Sequence, residues 1–337
     1  MTSKERIQAI IDLDSVDRCG FWLGNPHPDS WPILFSYFGT SSEESIRKLL
    51  RDDFRWIEPS SAFKHPKGKP IFDKKRKGKE LSAGGIFSES QTIHEIEEFD
   101  WPNPDFLDFK DIITQLKSSK EFYCASGFWC PFFHDVADFL GMENYFLKMY
   151  THPDLIHAIT DKIVQFYLEA NYRLFEEAGD LIDGFFFGND FGTQQSLLIS
   201  PEMLEIFIFP YFEKLIKLAK NYRKQIILHS CGSIFKIIPR LISLGVQALH
   251  PIQARAHQME AENLAKYFKD KIAFIGGVDT QQLLVQGSPE DVRTDVLKIK
   301  KVLSPHFVIS PSHEAILPDI PPQNLEAMAS AVYQEVA

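Results

Sequence analysis

His229 and Cys231 stand two residues apart where the apolar run Gln225-Ile-Ile-Leu breaks into His229-Ser230-Cys231-Gly232-Ser233. In extended backbone, residues at i and i+2 project to the same side, so an imidazole and a thiol leave this segment together. Such a pair suits zinc, and a cysteine bound to zinc is a thiolate. The same letters also describe a packed strand end, with Cys231 as a small apolar side chain and His229 hydrogen-bonded. What decides between them is which other groups the chain delivers to the same place.

Short apolar runs predict eight strands, near residues 20–24, 53–58, 121–126, 183–188, 225–229, 246–250, 272–276 and 306–310. Helical patterns lie between them with clear start signals. Thr92-x-x-Glu95 is a capping box. Ser200-Pro201-Glu202 and Ser288-Pro289-Glu290-Asp291 each give a cap residue, proline at the first helical position and acids in the first turn. Apolar runs that are continuous rather than alternating imply strands covered on both faces. Repeated strand–helix alternation predicts an α/β fold, a single parallel (β/α)8 barrel over residues 1–337. No G-x-G-x-x-G turn joins a strand to a helix, which disfavours a dinucleotide-binding sheet.

In such a barrel the chemistry belongs at the C-terminal ends of the strands. There the sequence places Asn25 and His27, Glu58, Trp129, Asp190 with Gln194, His229 with Cys231, Gln253, Asp279, and His313 beside Glu314. Asp190 and Glu58 are the candidate acid–base groups, and Asn25, His27, Trp129, Gln194, Gln253 and Asp279 the candidate substrate contacts. Each has a plainer alternative: Asp190 as a helix-initiating acid, Asp279 as a turn former, Trp129 as core. His250 and His306 read as packing or surface residues, and Cys124 and Cys130 as structural. His313 could complete a site begun by His229 and Cys231, giving two imidazoles, one thiolate and an open position, as catalytic zinc sites have.

The bulk composition narrows the classes. The 337 residues carry a net charge of −10, which argues against nucleic acid or anionic membrane as general partners. No segment has the apolar length of a membrane span. Four scattered cysteines and a polar start fit a reducing, cytoplasmic setting without disulfides. Where oligomers form, a homodimer is the commonest outcome. Lys64–Lys79, rich in Lys, Gly and Pro, reads as a solvated surface excursion near residues 60–90, dispensable for the fold.

These motifs together resemble the uroporphyrinogen decarboxylase superfamily, which includes corrinoid-linked methyltransferases acting on coenzyme M and related thiols. The resemblance rests on Asn189-Asp190-Phe191-Gly192-Thr193-Gln194 with Ser200-Pro201-Glu202, and on His229-Ser230-Cys231-Gly232-Ser233. Gly276-Gly277-Val278-Asp279-Thr280-Gln281 and Pro311-Ser312-His313 through Pro318-Asp319-Ile320-Pro321-Pro322-Gln323-Asn324 complete it. It implies one (β/α)8 barrel. The family's decarboxylases carry an arginine-bearing segment after the first strand that grips substrate carboxylates. Here that place reads Phe21-Trp22-Leu23-Gly24-Asn25-Pro26-His27, without arginine. The methyltransferase branch holds zinc with His-x-Cys after strand five and a cysteine after strand eight. His229 and Cys231 match, and His313 stands in the third place.

The resemblance thus implies a zinc-dependent methyltransferase with metal ligands His229, Cys231 and His313, moving a methyl group between a corrinoid and a thiol or similar acceptor. The chain lacks an Asp-x-His-x-x-Gly carrier loop, so the corrinoid would arrive on a partner protein. The alternative it allows is a decarboxylase-like lyase acting on a carboxylated, tetrapyrrole-type substrate. A non-catalytic corrinoid or tetrapyrrole carrier on the same scaffold is a third class, because one barrel hosts many functions.

Overall fold

The computed structural model describes residues 1–80 and 82–334. Its main sheet holds eight parallel strands. They are β1 (Gly20–Phe21), β2 (Phe54–Ile57), β3 (Tyr123–Ser126), β4 (Gly184–Gly188), β5 (Gln225–His229), β6 (Ala248–Ile252), β7 (Ala273–Val278) and β8 (Phe307–Pro311). Each expected strand is present within a few residues of its expected place. Strands β2 to β8 pair in chain order and β8 pairs with β1, the order of a (β/α)8 barrel. The capping box at Thr92 and the caps at Ser200 and Ser288 form as the sequence indicates.

The seam between β1 and β2 is closed by one backbone hydrogen bond together with two aspartate side chains. The Asp53 amide donates to the Phe21 carbonyl (2.9 Å), and the Phe21 amide donates to Asp53 Oδ2 (3.0 Å). One residue pair along, the Leu23 amide donates to Asp52 Oδ2 (3.2 Å). Carboxylates thus take up amides that a longer ladder would satisfy, as buried backbone donors require.

Inside the barrel, Trp22, Phe54, Tyr123, Phe186, Ile227, Ile275 and Val308 form one apolar cluster. Ile7, Ile10 and Ile11 of the helix Ser3–Ile11 belong to the same cluster, so this helix plugs the N-terminal end of the barrel. Arg6 on the plug bonds Asp53 Oδ1 (2.8 Å) and Asp17 through two nitrogens (2.7 Å each). Burying each isoleucine contributes roughly 1.5–3 kcal/mol, whereas Arg6 and Asp53 are themselves buried, so desolvation offsets much of their attraction. Packing therefore holds the plug and Arg6 orients it.

Asp17 gives a pH signature. Its hydrogen bonds from Arg6, stronger than the opposing effect of burial, hold its carboxyl well below the ordinary 3.8. A lowered folded-state pKa stabilises at pH above the unfolded value and is lost as pH falls through the folded one. Asp17→Asn should lower thermal stability at neutral pH, and the gap to the parent should close as pH falls below 3.8. A gap that stays constant on acidification would assign the loss to packing.

The lysine-rich excursion departs from expectation. Lys64, Lys67, Lys69 and Lys75 are exposed, but Phe72 is buried against Trp101, Phe139, Phe166 and Tyr167. Lys74 Nζ reaches the buried Asp135 (2.6 Å) and Asp138 (2.8 Å), and Arg76 pairs with Asp138 (2.8 Å). The segment is tied to the helix Phe132–Leu140 that follows β3. Its lysine content conceals one aromatic anchor and one buried ion pair.

Candidate active site

Strand pleating sends Gln225, Ile227 and His229 of β5 inward in turn. Gln225 sits beside the plug, with its Nε2 donating to the Gln8 carbonyl (2.9 Å), Ile227 is in the inner cluster, and His229 tops the column at the mouth. Register places His229 of β5 opposite His250 of β6. The loop after β4 and the loop after β5 meet at two glycines. Gly232 has φ +82°, and a Cβ there would collide with the backbone of Gly192. A Cβ on Gly192 would lie 2.6 Å from the Ser233 nitrogen. Only glycine permits this approach, and the approach brings Asp190 to Cys231.

The resulting cluster is compact. Asp190 Oδ1 accepts the Cys231 amide (2.8 Å) and lies 3.2 Å from His229 Nε2. His229 Nε2 is also 3.3 Å from Cys231 Sγ. One donor atom from each of Asp190, His229 and Cys231 lies within 4.8 Å of the others. A second such group joins His229, His250 and Glu314. His229 Nδ1 is 2.9 Å from His250 Nδ1 and 3.8 Å from Glu314 Oε2. Trp129 stacks edge-on against His229, with ring centroids 4.8 Å apart, and also packs on Trp56 and Phe186. It is a wall of the site.

The electrostatics follow from this packing. Burial, the largest influence on His229, opposes charge, yet Asp190, Cys231 and Glu314 together outweigh it and raise its pKa to about 10. Burial likewise opposes charge on Asp190, but hydrogen bonds from His229 and the Cys231 amide hold it well below the usual carboxylate range. His250 is pushed well below the ordinary histidine value by burial and then by the charge of His229. His313 is raised, first by its interaction with Cys231.

His313 neighbours the cluster without joining either group of converging donors, so among the described residues Asp190 supplies the third converging atom instead. Its Nδ1 accepts the Ala315 amide (3.2 Å), which turns the ring along its own loop. His313 also lines a cavity of about 500 Å³ at the mouth, with Gln194, Gln253, Asp279 and Arg255. Gln253 Oε1 accepts the Gly232 amide (2.6 Å), linking this cavity to the Cys231 loop. Asp279 accepts the amides of Gln281 (2.9 Å) and Leu283 (3.3 Å) and an Arg255 Nη (3.1 Å), so it is both a turn former and a cavity wall.

Three expected site residues stand apart from the cluster. Asn25 is exposed in a two-stranded ribbon paired with Ala315. His27 is exposed, and its Nδ1 accepts the Asp29 amide (3.2 Å), capping a local turn. Glu58 bonds the amide of Ser60 (3.0 Å) and its hydroxyl, and burial raises its pKa. Three residues near the site escaped the sequence reading of function, His250, Arg255 and His134, and Glu314 was placed at the rim without a role. His134 Nε2 accepts the Asp190 amide (3.2 Å). His306 lies elsewhere, bonded to Asp270 and the Asp14 carbonyl. The four cysteines are free, and among the described residues no helix is long and apolar enough to cross a membrane.

A (β/α)8 barrel with its polar cluster at the C-terminal rim is thus the architecture of this protein. The uroporphyrinogen decarboxylase (URO-D) family model matches residues 90–335, and the chain belongs to that family. Among solved structures it is similar to a methyltransferase from Methanosarcina mazei, 15% identical, with a TM-score of 0.71 and 98% of each chain covered. At that identity the likeness concerns the fold. No curated protein matches the chain.

Proposed function

We propose that this protein is a zinc-dependent methyltransferase that transfers a methyl group between a corrinoid, carried by a partner protein, and a thiol or similar acceptor. The convergence of the Asp190 carboxylate, His229 Nε2 and Cys231 Sγ within 4.8 Å carries the reading. One oxygen, one imidazole and one thiol form a donor set that suits zinc and leaves a position open. The fit is supported by His229, whose Nδ1 is engaged by His250 so that Nε2 is the nitrogen turned to Asp190 and Cys231. Zinc held there would keep an acceptor thiol ionised near neutral pH.

The chain's own residues do the rest. Asp190 fixes the Cys231 loop through the Cys231 amide. Trp129 shields one side of His229 from water. With Nδ1 accepting from Ala315, neutral His313 carries its proton on Nε2 and can exchange one with the acceptor in the cavity. Gln194, Gln253 and Arg255 supply polar contacts there.

The second reading is a carboxy-lyase on a carboxylated substrate, which the family description favours. Against it, Arg47, the arginine bonded to the loop after β1, is engaged with Asp52 (2.7 Å) and the Gly24 carbonyl (3.0 Å). Purified protein is expected to hold about one zinc per chain and to methylate a thiol from methylcobalamin. Release of carbon dioxide from uroporphyrinogen by metal-free protein would reverse the order of the two readings.

A further inference from the structure

We infer that His250 is a positioning residue: its Nδ1 accepts the Nδ1 proton of His229 and thereby presents His229 Nε2 to a metal. The inference rests on the metal site proposed above but stands on separate geometry. The two Nδ1 atoms are 2.9 Å apart and both rings are buried, so no water competes for the bond. One nitrogen must donate and the other accept. Were His250 the donor, neutral His229 would carry its proton on Nε2 and could not bind metal there. Were His229 the donor, Nε2 would be the nitrogen left to a metal, which would displace any proton held there.

The surroundings select the second arrangement. Glu314 Oε2 has no hydrogen-bond partner and lies 3.8 Å from His229 Nδ1 and 3.6 Å from His313 Nδ1; because His313 Nδ1 already accepts the Ala315 amide, the nitrogen this carboxylate can favour with a proton is that of His229. His250 Nε2 likewise has no hydrogen-bond partner, and its ring packs against Trp22 and Phe186, with centroids 5.0 and 5.3 Å away. The aromatic rings leave His229 as the polar partner of the His250 imidazole. With its Nδ1 accepting from His229, the His250 ring would carry its proton on Nε2, toward the aromatic rings. A metal-bound histidine usually gives its other N–H to a carboxylate, carbonyl or water; here a second imidazole takes that place.

Two variants separate this role from packing. Asparagine places its Oδ1 close to where the Nδ1 of histidine sits, so His250→Asn keeps an acceptor for His229. Leucine fills the space with none. Cobalt(II) and zinc binding to stripped protein should weaken about 10–100-fold in His250→Leu, as loss of such a partner usually causes. His250→Asn should recover most of that affinity. Nitrogen-15 NMR of histidine-labelled parent protein, with and without zinc, should show His250 neutral and protonated on Nε2. Equal affinity in parent and His250→Leu, or His250 protonated on Nδ1, would overturn the inference. If the parent binds neither metal while His250 shows the expected tautomer, the metal reading fails and the hydrogen bond stands.

Discussion

Cys231→Ser should strip most of the zinc from the protein and abolish thiol methylation while leaving the barrel folded. Cys231 is half-exposed at the rim, and its Sγ bonds His229 rather than core side chains. The Asp190 contact that shapes its loop is to the backbone amide, which serine retains. A serine hydroxyl is a far poorer zinc donor than a thiolate at neutral pH. Loss of a direct ligand should therefore exceed the roughly 10–100-fold penalty for losing a group one shell out. A large barrel with its own core does not depend on metal to fold, unlike a small zinc-dependent domain. Metal analysis and thermal unfolding on the same preparation check both halves. Stoichiometric zinc retained by Cys231→Ser would remove Cys231 from the ligand set.

Excision of residues 64–79 should cost the fold, contrary to what lysine content suggests. The cut removes Phe72, whose loss from its aromatic niche costs about 3–5 kcal/mol by analogy with Phe→Ala changes. It also removes Lys74 and leaves Asp135 fully buried with only the Tyr167 hydroxyl (2.7 Å) and local groups to offset its charge. Breaking a buried pair on one side costs about 3–5 kcal/mol. Together these fall within the roughly 5–15 kcal/mol typical of a whole domain, so the excised chain should be insoluble or unfolded. Lys74→Met, which keeps Phe72, isolates the second contribution and should lower the urea midpoint measurably. A soluble excised protein with an unchanged midpoint would restore the view of this segment as solvated.

The barrel was legible because its strands are continuous apolar runs, and that signal needs no knowledge of distant contacts. His229 and Cys231 were legible for a similar local reason, since i and i+2 share a side of an extended chain. Asp190 was found at a strand end, but its approach to Cys231 depends on Gly192 and Gly232 closing together, a contact between loops. His250 is buried, within its reading as a packing or surface residue, but its contact with His229 was not legible because it depends on register: it is the Cα partner of His229 across β5 and β6, which no single segment records. His313 stands in the expected loop, yet the turn that bonds its Nδ1 to Ala315 sets where the ring can reach. Phe72 and Lys74 were hidden by the lysines around them.

The plug helix has a consequence for how the chain finds its fold. Ser3–Ile11 precedes every strand, yet it packs beneath β1, β2, β3 and β8. Its isoleucines meet Gly20 near the start of the described chain and Val308 near its end. Its packing is complete only when β8 is in place, because one of the four strands it contacts lies near the end of the described chain. Contacts between such distant segments are slow to form. The helix thus joins the first and last strands of the barrel in one packed floor. An intermediate that lacks part of this floor exposes apolar surface of the kind that makes partly folded chains prone to aggregate.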